Sequence, residues 1–331
     1  MRIRFSPVAG LVLAGLLMSA GAGVIGVAAA APADAATVTV NCPANDLQSA
    51  INSAAPGSTI VVRGTCTGSF SISTSLTLVG PATLNGVQLG VGSTVLTVGG
   101  GAAVTLNSIT VQGGGGEDYG AAGIDNGLDN SASSLTLNNS SVVNNTPYYY
   151  GDGHAGGIYN NGTLILNSSS VANNYAYTVQ SDGDKAGGIL NDLYGTLIMN
   201  KSSVSGNTNA LFGAGGIFNF GKATISNSQV SSNSLIYGDY YQNPTVGGIE
   251  NEGFMTLNHT SVLKNTTSGT VGVGGIDNSF SLTLNNSKVA SNSGVSVGGI
   301  NSAPYPGGST TLNHTSVTNN APNPQCVGVA C

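Results

Sequence analysis

One frame constrains what this chain can fold into more than any other feature. It reads Gly-Gly-Ile-x-Asn, then Leu-x-Leu-Asn, then Ser-x-Val-x-x-Asn, and it recurs seven times over residues 122–320. Residues 156–174, GGIYNNGTLILNSSSVANN, are its clearest copy. The isoleucine returns at Ile124, Ile158, Ile189, Ile217, Ile249, Ile276 and Ile300. Leu137, Leu166, Met199, Ile225, Leu257, Leu284 and Leu312 share the next apolar position. Five residues on there is always a valine: Val142, Val171, Val204, Val230, Val262, Val289 and Val317. Three further on stands an asparagine: Asn145, Asn174, Asn207, Asn233, Asn265, Asn292 and Asn320. Only the loop behind that asparagine changes length much, so units run from 24 to 34 residues. A period of this size marks a repeat architecture.

Parity says which kind. Leu135 and Leu137 face one side of a strand, and an uninterrupted strand would turn Val142 to the other. A corner at Asn138-Asn139 restores it, because asparagine tolerates left-handed backbone and bonds its own main chain. Three short strands with corners then make one coil. The few aliphatics of a coil cannot offset the entropy of ordering it, so coils must stack and share a core. Seven repeats and about three N-terminal coils predict an all-β solenoid of about ten coils, roughly 50 Å long at ~4.8 Å per coil. Stacked asparagines suit hydrogen bonding from coil to coil. One column is Asn126, Asn160, Asn191, Asn219, Asn251 and Asn278; another is Asn138, Asn167, Asn200, Asn258, Asn285 and Asn313.

The flanking segments differ. Arg2 and Arg4 precede an apolar run over residues 8–30, and Ala33-Asp34-Ala35 is an A-x-A cleavage site, so residues 1–35 read as a secretory signal peptide. The β-helix is expected over 36–320, with a cap and first coils over 36–112 and the repeats over 113–320. A tail follows over 321–331. Export places Cys42, Cys66, Cys326 and Cys331 in an oxidising compartment, where the local pairs Cys42–Cys66 and Cys326–Cys331 are expected. Residues 45–55 predict a short amphipathic helix capped by Asn45, with Leu47, Ala50, Ile51 and Ala54 on one face. It would cover the open end of the first coil. Strands are expected at 59–62, 70–72, 76–79, 95–98 and 104–111.

Composition excludes some functions. Only 7% of the 331 residues are charged, and 50 are glycine. Past residue 35, one arginine (Arg63) and five lysines face thirteen acidic residues. That balance argues against nucleic acid, and against an anionic ligand held by charge alone. No transmembrane segment is expected in the mature chain. The oligomeric state is left open.

The stretch DLQSAINSAAPGSTIVVRGTCTGSFSISTSLTLVG, over residues 46–80, resembles the opening of pectin-lyase-like proteins, the single-stranded right-handed parallel β-helix family. A short capping helix, Pro-Gly, a strand, Gly-Thr and Leu-Thr-Leu come in the same order. That resemblance implies a right-handed coil. The frame over residues 122–320 is also similar to the repeats of chlamydial polymorphic outer membrane proteins. Gly-Gly-Ile and Val-x-x-Asn stand where that family carries Gly-Gly-Ala-Ile and Phe-x-x-Asn. This second resemblance implies surface display and adhesion; valine replaces phenylalanine, and no transporter barrel follows.

Candidate sites are few. The position after the frame isoleucine points outward and reads Asp125, Tyr159, Leu190, Phe218, Glu250, Asp277 and Asn301. Glu250 and Asp277 fall on neighbouring coils, with carboxylates about 5 Å apart, the separation of a retaining glycosidase pair. The family's lyases imply an acidic calcium site with an arginine or lysine base, yet Arg63 lies in the first coils. The Asn-Thr-Asp, Asp-Asp and Arg-x-Lys motifs of its galacturonan hydrolases are absent. His259 and His314 share one repeat position and read as corner residues; His154 lies in a loop near Asp152. Tyrosines gather in the loops behind the third strand: Tyr148, Tyr149, Tyr150, Tyr175, Tyr177, Tyr237, Tyr240 and Tyr241. Those loops leave one corner, so their rings form an expected edge for glycans or cell surfaces. Phe212, Asp152 and Asp239 accompany them. Asp182 and Asp184 form a candidate calcium pair; no other cofactor is expected. The sequence favours a secreted or surface-displayed, adhesin-like glycan binder. Its alternatives are a polysaccharide lyase or glycoside hydrolase with an unfamiliar site, and a structural envelope protein.

Overall fold

The computed structural model describes residues 34–86, 93–115, 120–127, 132–147, 155–177, 185–238, 245–269 and 271–331. Each repeat forms three short strands, in one unit Ile158–Asn160, Thr163–Asn167 and Ser170–Ala172. The first strands stack into a ten-stranded sheet, and the second and third strands together into one of eighteen. All pairings are parallel and the frame stays in register. Ile158 sits between Ile124 and Ile189, Leu166 between Leu137 and Met199, and Val171 between Val142 and Val204. These aliphatics are fully buried in one continuous core. The solenoid makes about eight turns, slightly fewer than expected, with Thr37–Asn41 and Cys326–Val327 as its outermost strands.

The corner between second and third strands has the expected conformation. Asn139 has φ 47°, and Ser168, Lys201, Asn227, His259, Asn286 and His314 repeat it. One left-handed residue per unit reverses the parity, so Leu166 and Val171 both point inward. His259 and His314 are therefore corner residues, as their repeat position implies.

Asparagine ladders tie the coils together. The Nδ2 of Asn126 donates to Asn160 Oδ1 at 2.7 Å, and the pattern runs on through Asn191, Asn219 and Asn251 to Asn278. A second ladder starts at Asn145 and ends at Asn320. There Gln325 takes the place of the next asparagine, accepting from Asn320 N and Nδ2 at 2.9 Å each. The tail is thus part of the solenoid, and Cys326–Val327 adds the last strand of the ten-stranded sheet.

Near the N-terminus a helix spans Leu47–Ser53. Its cap is Asp46, not Asn45: the carboxylate accepts from the amides of Gln48 and Ser49. Asn45 instead accepts from Asn41 N through its side chain. Leu47 and Ile51 enter the main core. The Gln48 side chain exchanges two hydrogen bonds with the backbone of Ser71, at 2.9 and 3.0 Å. The cysteines pair as expected, Cys42 with Cys66 and Cys326 with Cys331. Among the described residues no helix is long and apolar enough to cross a membrane.

Candidate functional site

The column that follows the frame isoleucine departs from expectation. Asp125, Tyr159, Leu190, Phe218, Glu250 and Asp277 point away from the main core, yet none is more than 7% exposed. A second apolar layer covers them. Ala121, Ala155, Ala186 and Ala214, each three residues before its frame isoleucine, pack with Tyr159, Leu190 and Phe218. Val246, Val273 and Val297 continue the layer over later coils. The returning chain of each unit therefore closes over the face that an isolated coil would leave open.

Glu250 and Asp277 are direct register neighbours, as their spacing predicts. They are buried, however, and Asp277 accepts from Asn301 Nδ2 at 2.8 Å. Burial pushes the Asp277 carboxyl up, against the opposing hydrogen bonds from Asn301 and the Asn278 backbone. A retaining glycosidase needs both carboxylates open to a sugar ring. This pair is close but closed off, so the structure gives the glycosidase reading no entry for its substrate.

Asp125 sits in the same layer. It accepts from Ala121 N at 2.5 Å and from the Thr94 hydroxyl at 2.9 Å. Burial outweighs both and pushes its carboxyl up from 3.8 to about 7. On the next coil Tyr159 donates its hydroxyl to Asp192 at 2.5 Å. Burial and the nearby carboxylates, Asp192 first, hold that phenol well above its ordinary range. A raised acid binds its proton more tightly folded than unfolded. It therefore supports the fold most at low pH, and that support is lost as pH rises from about 4 to about 7. Unfolding free energy should fall across this window by roughly 4 kcal/mol at most. Asp125→Asn should flatten the profile in chemical denaturation at stepped pH; an unchanged slope would remove Asp125 as its source.

The expected tyrosine edge is only partly described. Tyr175 and Tyr177 are half-buried and stack on each other, with ring centroids 6.2 Å apart. Tyr148, Tyr149, Tyr150, Tyr240, Tyr241 and the Tyr237 side chain lie outside the described residues. So do Asp152, His154, Asp182, Asp184 and Asp239. Phe212, placed in a loop by sequence, is buried. Among the described residues no three His, Cys, Asp or Glu side chains gather as a metal site.

A feature that the repeat pattern did not single out is a groove of about 880 Å³ along the corner between second and third strands. Asn139, Ser141, Ser170, Lys201, Ser203, Asn227, Gln229, His259 and Ser261 line it. Its floor is a column of buried hydroxyls. Ser169 Oγ lies 3.0 Å from Leu137 O and 2.9 Å from Asn167 O, and accepts from Ser140 N. Ser202 repeats the arrangement one coil on. These groups are engaged with the backbone, which leaves the half-exposed and exposed rim to meet a ligand. The groove crosses five consecutive coils, about 19 Å between its outer ranks, and none of its lining residues is acidic.

The surroundings sharpen that charge pattern. Among the described residues, the exposed Arg63, Lys201, Lys222, Lys264 and Lys288 all lie on the eighteen-stranded sheet or its corners. Asp125, Asp192, Glu250, Glu252 and Asp277 all lie on, or just after, strands of the ten-stranded sheet. Among the described residues, the strands of the eighteen-stranded sheet thus carry cations and no carboxylate, although the net charge is −6. The expectation that anionic ligands are disfavoured rests on net charge, which says nothing about placement.

Fold and groove together define a parallel β-solenoid with a polar groove, free of carboxylates, along one corner. No family model matches the chain, and no curated protein does. Solved structures that match include an alginate lyase from Paenibacillus sp. str. FPU-7, at 16% identity and a TM-score of 0.35. That match covers 84% of this chain and 99% of the other. Another is pectate lyase Pel9A, at 13% identity and a TM-score of 0.37, covering 89% of this chain and 80% of the other. The polymorphic outer membrane protein resemblance has no counterpart among these matches.

Proposed function

We propose that this β-solenoid binds an acidic polysaccharide lengthwise in the groove from Asn139 to Ser261. One observation carries the reading: five consecutive coils present hydroxyl, amide and cationic groups in file, with no carboxylate among them. Hydroxyls and amides suit the many donors and acceptors of a sugar chain. Lys201 within the groove, with Lys288 beside Ser261 in register, supplies charge attraction for uronate carboxylates. Such attraction is screened by salt. Alginate and polygalacturonate should therefore retard the protein in affinity electrophoresis, and markedly more at low salt than at high salt. Lys201→Glu should weaken the acidic polymers about tenfold, the loss of one close charge contact. Retardation by the acidic polymers that does not weaken with salt, or an unaffected Lys201→Glu protein, would sink this reading.

Cleavage of the same polymer is the second reading. Its supporting observation is that Lys201 and His259 are the groove's two lining side chains able to act as acid or base. Incubation with the same polymers should then release unsaturated or reducing ends, and His259→Ala should abolish that release while leaving retardation in place. Intact polymer after long incubation would leave binding alone.

A further inference from the structure

The corner between first and second strands carries a pattern that neither the groove nor the frame explains. Five consecutive units place an aromatic ring at it: Tyr194, Phe220, Phe254, Phe280 and Tyr305. The preceding unit has Asn161-Gly162 there, so the rings are no requirement of the turn. Tyr194, Phe254 and Tyr305 are 74%, 53% and 64% exposed. Burial, the usual reason to repeat an aromatic, accounts for the half-buried Phe220 and Phe280 but not for these three.

The rings are held in place. Phe220 stacks on the buried Phe218 with centroids 4.4 Å apart, and Phe254 meets Phe280 edge-to-face at 5.0 Å. Tyr194 and Tyr305, at the two ends, sit on corners lengthened by extra residues. Each lengthened corner closes on itself, through Gly195 N to Asp192 O at 2.7 Å and Gly308 N to Tyr305 O at 2.8 Å. Tyr305 N also donates to Ser279 O on the coil before, at 2.9 Å. Rings thus recur near this corner on five consecutive coils, about 19 Å along the solenoid axis.

We infer that these rings form a second ligand site, and that its ligand is a linear, uncharged polysaccharide whose sugar faces stack on them. Shape and charge select that occupant. A protein partner would bury a broad patch, roughly 800 Å² on each side, whereas this surface is one corner wide. Its flanks carry Asp192 and Glu252 against the single Lys222, which is in register with Phe254. That balance does not attract a polyanion, in contrast to the groove, whose lining holds Lys201 and no carboxylate. Aromatic faces with hydrogen-bonding groups beside them fit the apolar faces and equatorial hydroxyls of a neutral chain.

The test uses the exposed end rings, whose loss leaves the core untouched. Wild type and the double variant Tyr194→Ala/Tyr305→Ala would be run through gels containing hydroxyethyl cellulose, with circular dichroism confirming that both fold. Wild type should be retarded, with little dependence on salt, and the double variant should bind about tenfold or more weakly, the scale of one aromatic stacking contact. Lys201→Glu should leave this retardation unchanged, which keeps the test independent of the groove. Absence of retardation in wild type, or equal retardation of the two proteins, would overturn the proposal. So would a wild type that sediments as a dimer and a double variant that sediments as a monomer, because the rings would then be a contact between copies.

Discussion

Replacing Asn174 by leucine should lower the unfolding free energy by about 3 kcal/mol or more, although the side chains are similar in size. Asn174 is almost wholly buried. Its Oδ1 accepts from Asn145 N at 3.1 Å and from Asn145 Nδ2 at 2.9 Å. Its Nδ2 donates to Val142 O at 3.0 Å and to Asn207 Oδ1 at 2.9 Å. Leucine would strand the Asn145 donors and the Val142 carbonyl in a dry corner, and each orphaned group costs about 1–3 kcal/mol. Asn313→Leu is the matched control. That residue is exposed and donates its Nδ2 to Asn285 Oδ1 at 2.8 Å, so water can replace what is lost and the cost should stay within about 0.5 kcal/mol. Urea denaturation of both variants checks the prediction. Equal losses would mean that the ladder owes its effect to position in the coil and not to buried hydrogen bonds.

Gly157→Ala should cost about 1–3 kcal/mol from one added methyl group, and more if the coil cannot shift. A Cβ at Gly157 would lie 2.4 Å from Gly188 O, 2.9 Å from Val171 Cγ1 and 3.0 Å from Asn174 Nδ2. The first of these is backbone of the next coil, whose spacing is set by the parallel ladder. Space, and not conformational freedom, is what the frame glycines supply here. Gly101→Ala separates the two causes. Gly101 has φ +72° but nothing within 4 Å of an added Cβ, so alanine there should cost only the strain of a left-handed residue, roughly 1–2 kcal/mol. Thermal and urea denaturation of the two proteins would read the difference. A Gly157→Ala protein no less stable than Gly101→Ala would show that the coil spacing yields more easily than a close-packed stack should.

Both predictions concern residues that the repeat already marked. The isoleucine, leucine, valine and asparagine columns were legible because coil-to-coil neighbours depend only on the repeat. Ile158 meets Ile189 however long the loop between them is. The corner at Asn139 was legible from parity alone, and the structure adds that serine, lysine and histidine take the same left-handed place in other units. The helix was found, but its cap was placed one residue early, since Asn45 and Asp46 are equally good cap types and only the packing of Leu47 and Ile51 selects between them.

The candidate site was much less legible. Glu250 and Asp277 were rightly placed side by side, and their burial could not be seen, because the valines covering that layer lie beyond the local window that defines a strand face. The groove is not legible in any single unit, where its serines and asparagines read as ordinary corner residues. Its aromatic counterpart on the other corner was hidden for a related reason. Tyr194, Phe220, Phe254, Phe280 and Tyr305 occupy slightly different offsets from the frame, so no column of a repeat alignment shows them.

By itself, then, the sequence determined the coil: which residues face inward, where the chain turns, which cysteines meet, and that coils stack in register. These follow from periodicity, a one-dimensional property that stacking converts directly into columns. Tertiary structure alone decided access and sign. Whether a column faces water depends on where the variable loops return, and whether an acidic protein can present a cationic face depends on which sheet receives each of its few charges.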